Sequence, residues 1–375
     1  MNKLRIAMMT SSNPCLAGGV QEHVLSLSKE LRKRGHAVTI FGPKPKGKTL
    51  FTHYRSLGEK VYFPLPNGNH SNIHLLQESD KPTAIFTKKR FDLIHIHEPY
   101  IPFAAWNVLE KIKIPVVGTF HTVWDNESFF NIFNQLIPLF STLFSTYTQA
   151  AIFVSDICYE KWHTICNSSV LKSVIPNAVN THLFTPKRGE NKKIELLFVA
   201  RLVHRKGLLR LLKALTIVKK TTNSFSLTII GDGDERQEDF EYIRTHKLRR
   251  HITYLGEITG KKRAVYFKKA DVFCAPYTNE ASSLSVLEAI SAGLPVVGYK
   301  IPIFSDILKD YPGKELLVEK NEEALAKGIL KILSDGILRK SLKDWCNKKR
   351  GSFSWQTVAK QTEQLYYKTI EKYER

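Results

Sequence analysis

Short, wholly apolar runs alternate along this chain with stretches of helical periodicity. In the first half, runs at Leu4–Met9, Ala37–Phe41, Asp92–His97, Val116–Phe120 and Ala151–Val154 predict strands. In the second half the pattern returns at Ile194–Val199, Ser226–Ile230, Ile252–Leu255, Val272–Ala275, Pro295–Gly298 and Leu316–Val318. Most lack polar alternation, which marks strands buried on both faces, as in a parallel sheet covered by helices. Between them, Val20, Val24, Leu27 and Leu31 form one apolar helical stripe, and Gly35 follows as a stop. Helical spacing continues at Leu208–Lys219, Asp234–Lys247, Lys261–Lys268, Val286–Ser291 and Glu322–Leu333. Two blocks of strand–helix alternation predict two doubly wound α/β domains. A chain of 375 residues also exceeds what one hydrophobic core usually serves. Residues 176–193, rich in Pro, Asn, Gly and charge, mark the boundary.

Composition narrows the class. The net charge is +21, and residues 185–375 carry 37 Lys and Arg against 23 Asp and Glu. That balance favours anionic partners: nucleotide phosphates, nucleic acid or lipid head groups. The basic residues fall in dispersed clusters rather than one face with interleaved aromatics, which argues against nucleic acid. The 5 cysteines are widely spaced without a CxxC pair, as expected of reduced thiols in a cytoplasmic protein with no zinc site. MNKLRIAMMTSS reads as a first strand rather than a secretion signal, and no run of about 20 apolar residues predicts a membrane span.

Candidate chemistry collects where strands end. Gly18 and Gly19 lie between the first strand and first helix, where helix N–H groups suit a phosphate, although a Gly pair at such a turn is more often simple turn chemistry. The segment is not GxGxxG, and no acidic residue closes the second strand, so a nicotinamide-dependent oxidoreductase is disfavoured. Arg201 and Lys206 follow a buried strand and precede a helix, a position from which two cations can clamp a diphosphate. Glu280 falls after the strand DVFCAPY and Glu288 on the next helix; carboxylates there can accept from sugar and ribose hydroxyls. The N–H groups near Ser283 and Leu284 open that helix towards phosphate. His121 ends a first-half strand and is either ligand-facing or a core histidine. His95 and His97 share one strand face, but no third residue at ligand spacing accompanies them, so metal binding is disfavoured.

In their order, GGV, HIHEP, TFHT, PNAVN, the Arg201–Lys206 loop, IIGDGDE, YLGE and the Glu280–Glu288 segment resemble the retaining glycosyltransferases of family 4 over nearly the whole chain. GGVQEHV, HIHEP and TFHT are similar to the bacterial phosphatidylinositol mannosyltransferases. The resemblance implies the GT-B fold: two facing Rossmann-like domains with parallel sheets and a C-terminal helix crossing back to the first. It implies an acceptor-binding domain at 1–180, a nucleotide-sugar-binding domain at 181–354 and a returning helix at 355–375, roughly Gln356–Lys372.

It further implies roles. Gly18 and Gly19 approach the donor diphosphate, Arg201 and Lys206 neutralise it, and Ser283 and Leu284 lie beside it. Glu280 holds sugar hydroxyls, Glu288 the ribose, and His121 contacts the transferred sugar. Gly231, Asp232 and Gly233, with residues 255–258, frame the base. The expected donor is a UDP- or GDP-sugar, used without cofactor or metal. Where the family shows an aromatic residue and glycine after its first glutamate, Ser282 and Ser283 stand here; Ala178 and Asn180 alter the PNGVD loop; His204 and Arg205 make the basic loop more basic. A catalytically silent homologue is therefore one reading. Phe129, Phe133, Leu136, Phe140 and Leu143 recur at helical spacing in an uncharged segment, either an interior helix or one that meets a bilayer. The expected acceptor is a membrane lipid such as a phosphoinositide or glycerolipid, reached from the inner face; the alternative is a soluble or polymer-linked sugar.

Overall fold

The computed structural model describes residues 2–11, 18–44, 53–56, 59–64, 70–75, 85–87, 89–99, 109, 112–122, 142, 145–186, 193–280 and 282–374. Met1–Asn177 and Trp355–Arg375 together make one compact unit, and Ala178–Ser354 make a second.

The first unit runs β1 (Arg5–Thr10), α1 (Gly19–Lys33), β2 (Ala37–Gly42), β3 (Tyr54–Ser56), β4 (Glu59–Pro64), β5 (His70–Leu75), β6 (Leu93–His97), β7 (Val116–Phe120), β8 (Ala150–Phe153), α2 (Asp156–Trp162) and β9 (Leu171–Val174). Its main sheet has seven strands in the order β3-β2-β1-β6-β7-β8-β9, all parallel. A separate antiparallel pair, β4 with β5, departs from the purely parallel expectation. Strand side chains alternate between faces. Ala7, Met9, Ile94 and Ile96 join one apolar core with Phe41, Phe86 and Phe91. His95 and His97 therefore point to the opposite face. The uncharged segment from 128 to 141 lies outside the described residues.

The second unit runs β10 (Ile194–Val199), α3 (Leu208–Thr221), β11 (Phe225–Ile230), α4 (Arg236–Thr245), β12 (Ile252–Tyr254), α5 (Gly260–Lys269), β13 (Val272–Ala275), α6 (Leu284–Ser291), β14 (Val296–Tyr299), α7 (Pro302–Ile307), β15 (Leu317–Val318), α8 (Glu322–Ser334) and α9 (Gly336–Lys349). Its sheet order is β12-β11-β10-β13-β14-β15. The chain starts mid-sheet, winds outward, then returns to build the other half. Topology thus reverses between β10 and β13, and likewise between β1 and β6 in the first unit. Such switch points leave a crevice at the carboxyl ends of the strands.

A last helix, α10 (Trp355–Glu374), closes the first unit. Val358, Ala359, Thr362, Leu365, Tyr366 and Thr369 form its buried stripe, and it packs on α1 and β7. Full burial of each large apolar side chain contributes about 1.5–3 kcal/mol. Polar anchors fix the register. Leu4 N–H donates to His36 Nδ1 (3.1 Å), so the His36 Nε2 proton is directed to Glu363 Oε1 (2.7 Å). Arg34 also donates to Glu363. Burial pushes the Glu363 carboxyl up, but the hydrogen bonds from Arg34 and His36 outweigh it and hold the group below its ordinary range.

Candidate active site

In the second unit, β10 ends at Val199 and the chain enters the basic loop 201–206. Gly207, at φ 69°, turns that loop into α3, and a side chain there would overlap the Pro276 carbonyl. The loop is thereby pressed against the segment leaving β13: Thr278 N–H donates to Arg205 O (2.9 Å). Glu280 follows, and its carboxylate accepts from Lys206 Nζ and from Arg205 Nη1 (3.2 Å). The side chains of Lys206 and Glu280 are only 13% and 11% exposed, so this pair is largely desolvated. Lys206 also lies 4.3 Å from the centre of the buried Tyr277 ring. Burial, then the neighbouring Arg205 and Arg201, pushes the Lys206 ammonium well below the ordinary lysine value. Burial and the Arg205 charge likewise lower Arg201.

The structure thus gathers Arg205 and Lys206 on the carboxylate of Glu280, with Arg201 near enough for its charge to depress Lys206, an excess of positive charge suited to a diphosphate. Arg205 is the member that sequence reasoning left out, although its place inside the basic loop was a visible signal. Its Nε is buried with no hydrogen-bond partner. Ser283 is tied to the same cluster: Tyr277 Oη meets Ser285 Oγ (3.0 Å), and Ser285 Oγ meets Ser283 Oγ (3.4 Å). Ser283 is buried at the start of α6, and Leu284 is the first residue of that helix. Glu288 is placed differently. It is buried on α6 and paired with Arg263 of α5, which also packs over the Phe184 ring.

Gly231 and Gly233 meet the basic loop by backbone contact. Gly231, at φ 137°, has no room for a side chain against the Ala200 carbonyl, and Gly233 has none against that of Leu202. Asp232 accepts from Gly233 N–H (2.9 Å) and Arg236 (3.3 Å), ordering the turn into α4.

In the first unit, Gly18 precedes α1 with extended backbone (φ 172°), so positive φ is not what places glycine there. Its carbonyl accepts the helix bond from Glu22 N–H (3.0 Å). Gly19 opens the helix. His121, immediately after β7, is buried and hydrogen-bonded through Nε2 to His97 Nδ1 (3.0 Å). His95 is satisfied on both nitrogens, by Tyr366 Oη and Thr119 Oγ1 (each 2.6 Å). The sequence offered no third ligand beside His95 and His97; the fold supplies His23 from α1, grouped with His97 and His121. Burial lowers His23 to about 4 despite its bond to Asn177, and pushes His97 and His121 well below the usual imidazole value. All three are neutral near pH 7.

The family described as "Glycosyl transferases group 1" matches residues 181–349, and "Glycosyltransferase Family 4" matches residues 17–183. The chain is a GT-B glycosyltransferase. The phosphatidyl-myo-inositol mannosyltransferase of Mycobacterium tuberculosis is 28% identical to the transferase over 97% of this chain and 96% of that one. The alpha-monoglucosyldiacylglycerol synthase of Acholeplasma laidlawii is 23% identical over 98% of each. Among solved structures, a pneumococcal O-GlcNAc transferase in complex with UDP and GlcNAc superposes with a TM-score of 0.76, at 12% identity, covering 99% of this chain and 100% of that one. The transferase moves a sugar from a nucleotide-sugar donor. No described helix is long and apolar enough to cross a membrane.

Proposed function

We propose that the transferase moves a hexose from a UDP- or GDP-sugar to a lipid acceptor at a membrane surface, with retention of configuration and without a metal at the reacting centre. The observation that carries this reading is the pairing of Arg205 and Lys206 with Glu280, with Arg201 in the same basic loop, beside the carboxyl ends of β10 and β13. Arg201 and Lys206 hold the donor diphosphate, with Gly18, Gly19, Ser283 and Leu284 offering backbone N–H groups. Glu280 accepts from sugar hydroxyls, Glu288 from the ribose, and His121 contacts the transferred sugar. Gly231, Asp232 and Gly233 frame the base.

Front-face displacement needs no protein nucleophile. A donor β-phosphate oxygen takes the acceptor proton while the anomeric C–O bond to that phosphate breaks and the new glycosidic bond forms on the same face. Charge grows on the departing diphosphate, and preplaced cations stabilise it, commonly by a few kcal/mol per group. The lipid acceptor draws support from the names of the two relatives and from the +21 charge, which favours anionic surfaces. The peripheral, inner-face location follows from the same reading.

A thermal-shift screen against UDP, GDP and their sugars tests the donor site. The matching nucleotide should stabilise the protein, and Arg201→Ala or Lys206→Ala should shrink that shift. Transfer to phosphatidylinositol or diacylglycerol in anionic vesicles, assayed in EDTA, then tests acceptor and metal independence. No binding of any nucleotide, or transfer only to water-soluble sugars, defeats the respective part.

A further inference from the structure

The first unit holds a group of buried histidines of which the proposed transfer uses His121 alone. His23 comes from α1, His97 from the end of β6 and His121 from the residue after β7. One ring nitrogen from each lies within 4.8 Å of the other two. We propose that His23, His97 and His121 form a binding site for a first-row transition-metal ion of the zinc type, with the fourth coordination position open.

Geometry is the first argument. A tetrahedral zinc ion binds imidazole nitrogens at about 2.0–2.1 Å, which sets neighbouring ligand nitrogens roughly 3.3–3.4 Å apart. His97 Nδ1 and His121 Nε2 are already 3.0 Å apart. With all three nitrogens within 4.8 Å, the third ring needs to approach by at most about 1.5 Å, within reach of a side-chain rotation. A metal on His97 Nδ1 would replace its bond to His121 and leave Nε2 as the N–H. His95, two residues before His97 on the same strand face, has both its nitrogens engaged.

Neighbouring side chains favour the same reading. Asn177 Oδ1 lies 2.7 Å from His23 Nδ1, so it accepts that N–H, fixes the tautomer and leaves Nε2 as the donor to a metal. The His23 ring is further held edge-on by Trp355 of α10, at 5.2 Å between ring centres. Ligands of imidazole alone suit zinc, copper or nickel rather than magnesium or calcium.

The site goes beyond the proposed transfer reaction and touches it at one residue. A metal on His121 withdraws the lone pair proposed to meet the sugar, so zinc should inhibit transfer and EDTA should restore it.

The test uses untagged, chelator-treated protein and Co²⁺ or Zn²⁺ as the probe. Titration with Co²⁺ should give the intense visible absorption of a four-coordinate, nitrogen-ligated ion at one equivalent, and Zn²⁺ should displace it. His97→Gln and His23→Asn should each abolish the band while retaining the nucleotide-induced thermal shift that reports a folded second unit. An absent band, or a band unchanged in both variants, overturns the site. Stoichiometric zinc binding with undiminished transfer leaves the site standing and instead removes His121 from its proposed contact with the sugar.

Discussion

Substituting Glu280 should separate product affinity from turnover. Its carboxylate accepts charge-assisted hydrogen bonds from Lys206 and Arg205 in a largely desolvated setting. A bond to a charged group is worth about 1.5–3 kcal/mol, against about 1 kcal/mol for a neutral one. An incoming diphosphate must take over those donors, so the wild-type protein exchanges bonds rather than gaining them. Glu280→Gln keeps the shape and weakens both competing bonds. Nucleoside diphosphate binding should therefore gain about 1–3 kcal/mol, or roughly 5- to 150-fold in Kd. Transfer should fall at least about tenfold, because the carboxylate proposed to meet the sugar hydroxyls is gone. Isothermal calorimetry with the di- and monophosphate, beside steady-state transfer, reads both effects, and the monophosphate should gain much less. A diphosphate Kd that is unchanged or weaker in the variant refutes the idea that Glu280 and phosphate compete for the same cations.

Three further outcomes follow from described contacts. Because Lys206 is depressed well below the ordinary lysine value, its charge is present at low pH and lost as pH rises through that depressed value; diphosphate affinity should weaken over that window, and a profile flat from acid to strongly alkaline pH excludes Lys206 as a phosphate ligand. Glu363→Ala leaves the buried His36 N–H without its acceptor and should cost about 2–3 kcal/mol in urea unfolding, with Glu363→Gln costing less. Since Glu363 is held below its ordinary 4.5, the wild-type advantage is full above that pH and disappears as pH falls through the depressed native value; an advantage that persists at still lower pH contradicts the pairing. Gly231→Ala should destabilise the second unit by more than about 2 kcal/mol, whereas Gly260→Ala, at φ 56° with nothing within 4 Å, should cost only about 1 kcal/mol for its backbone; equal costs rule out the Ala200 contact as the reason for glycine.

The sheet interiors were legible because central strands in a covered sheet are apolar throughout. Ile194–Val199 and Val272–Ala275 are the residues that pair in the middle of the second sheet. Edge elements carried weaker marks: β3 and β9 are short and only partly buried. The helix α9 was hidden by Arg339, a charged residue on its buried stripe whose guanidinium donates to the carbonyls of Ile332 (2.7 Å) and Leu333 (2.9 Å). At the site, sequence order exposed the basic loop and Glu280 as strand-end features. It could not expose their contact, because Lys206 and Glu280 are 74 positions apart and meet only through the pairing of β10 with β13. The histidine group was illegible for the same reason: local spacing governs ligands on one helix or strand, and these three sit on three elements.

The closing helix has a consequence for how the protein is made. Residues 1–177 leave the ribosome before the helix that packs on α1 and β7 and completes their unit. Tyr366, which engages His95, and Trp355, which lies edge-on to His23, are synthesised only after the whole second unit. Until α10 emerges the imidazole face lacks these two partners, so a chain stopped before it carries the early motifs without the competence they suggest.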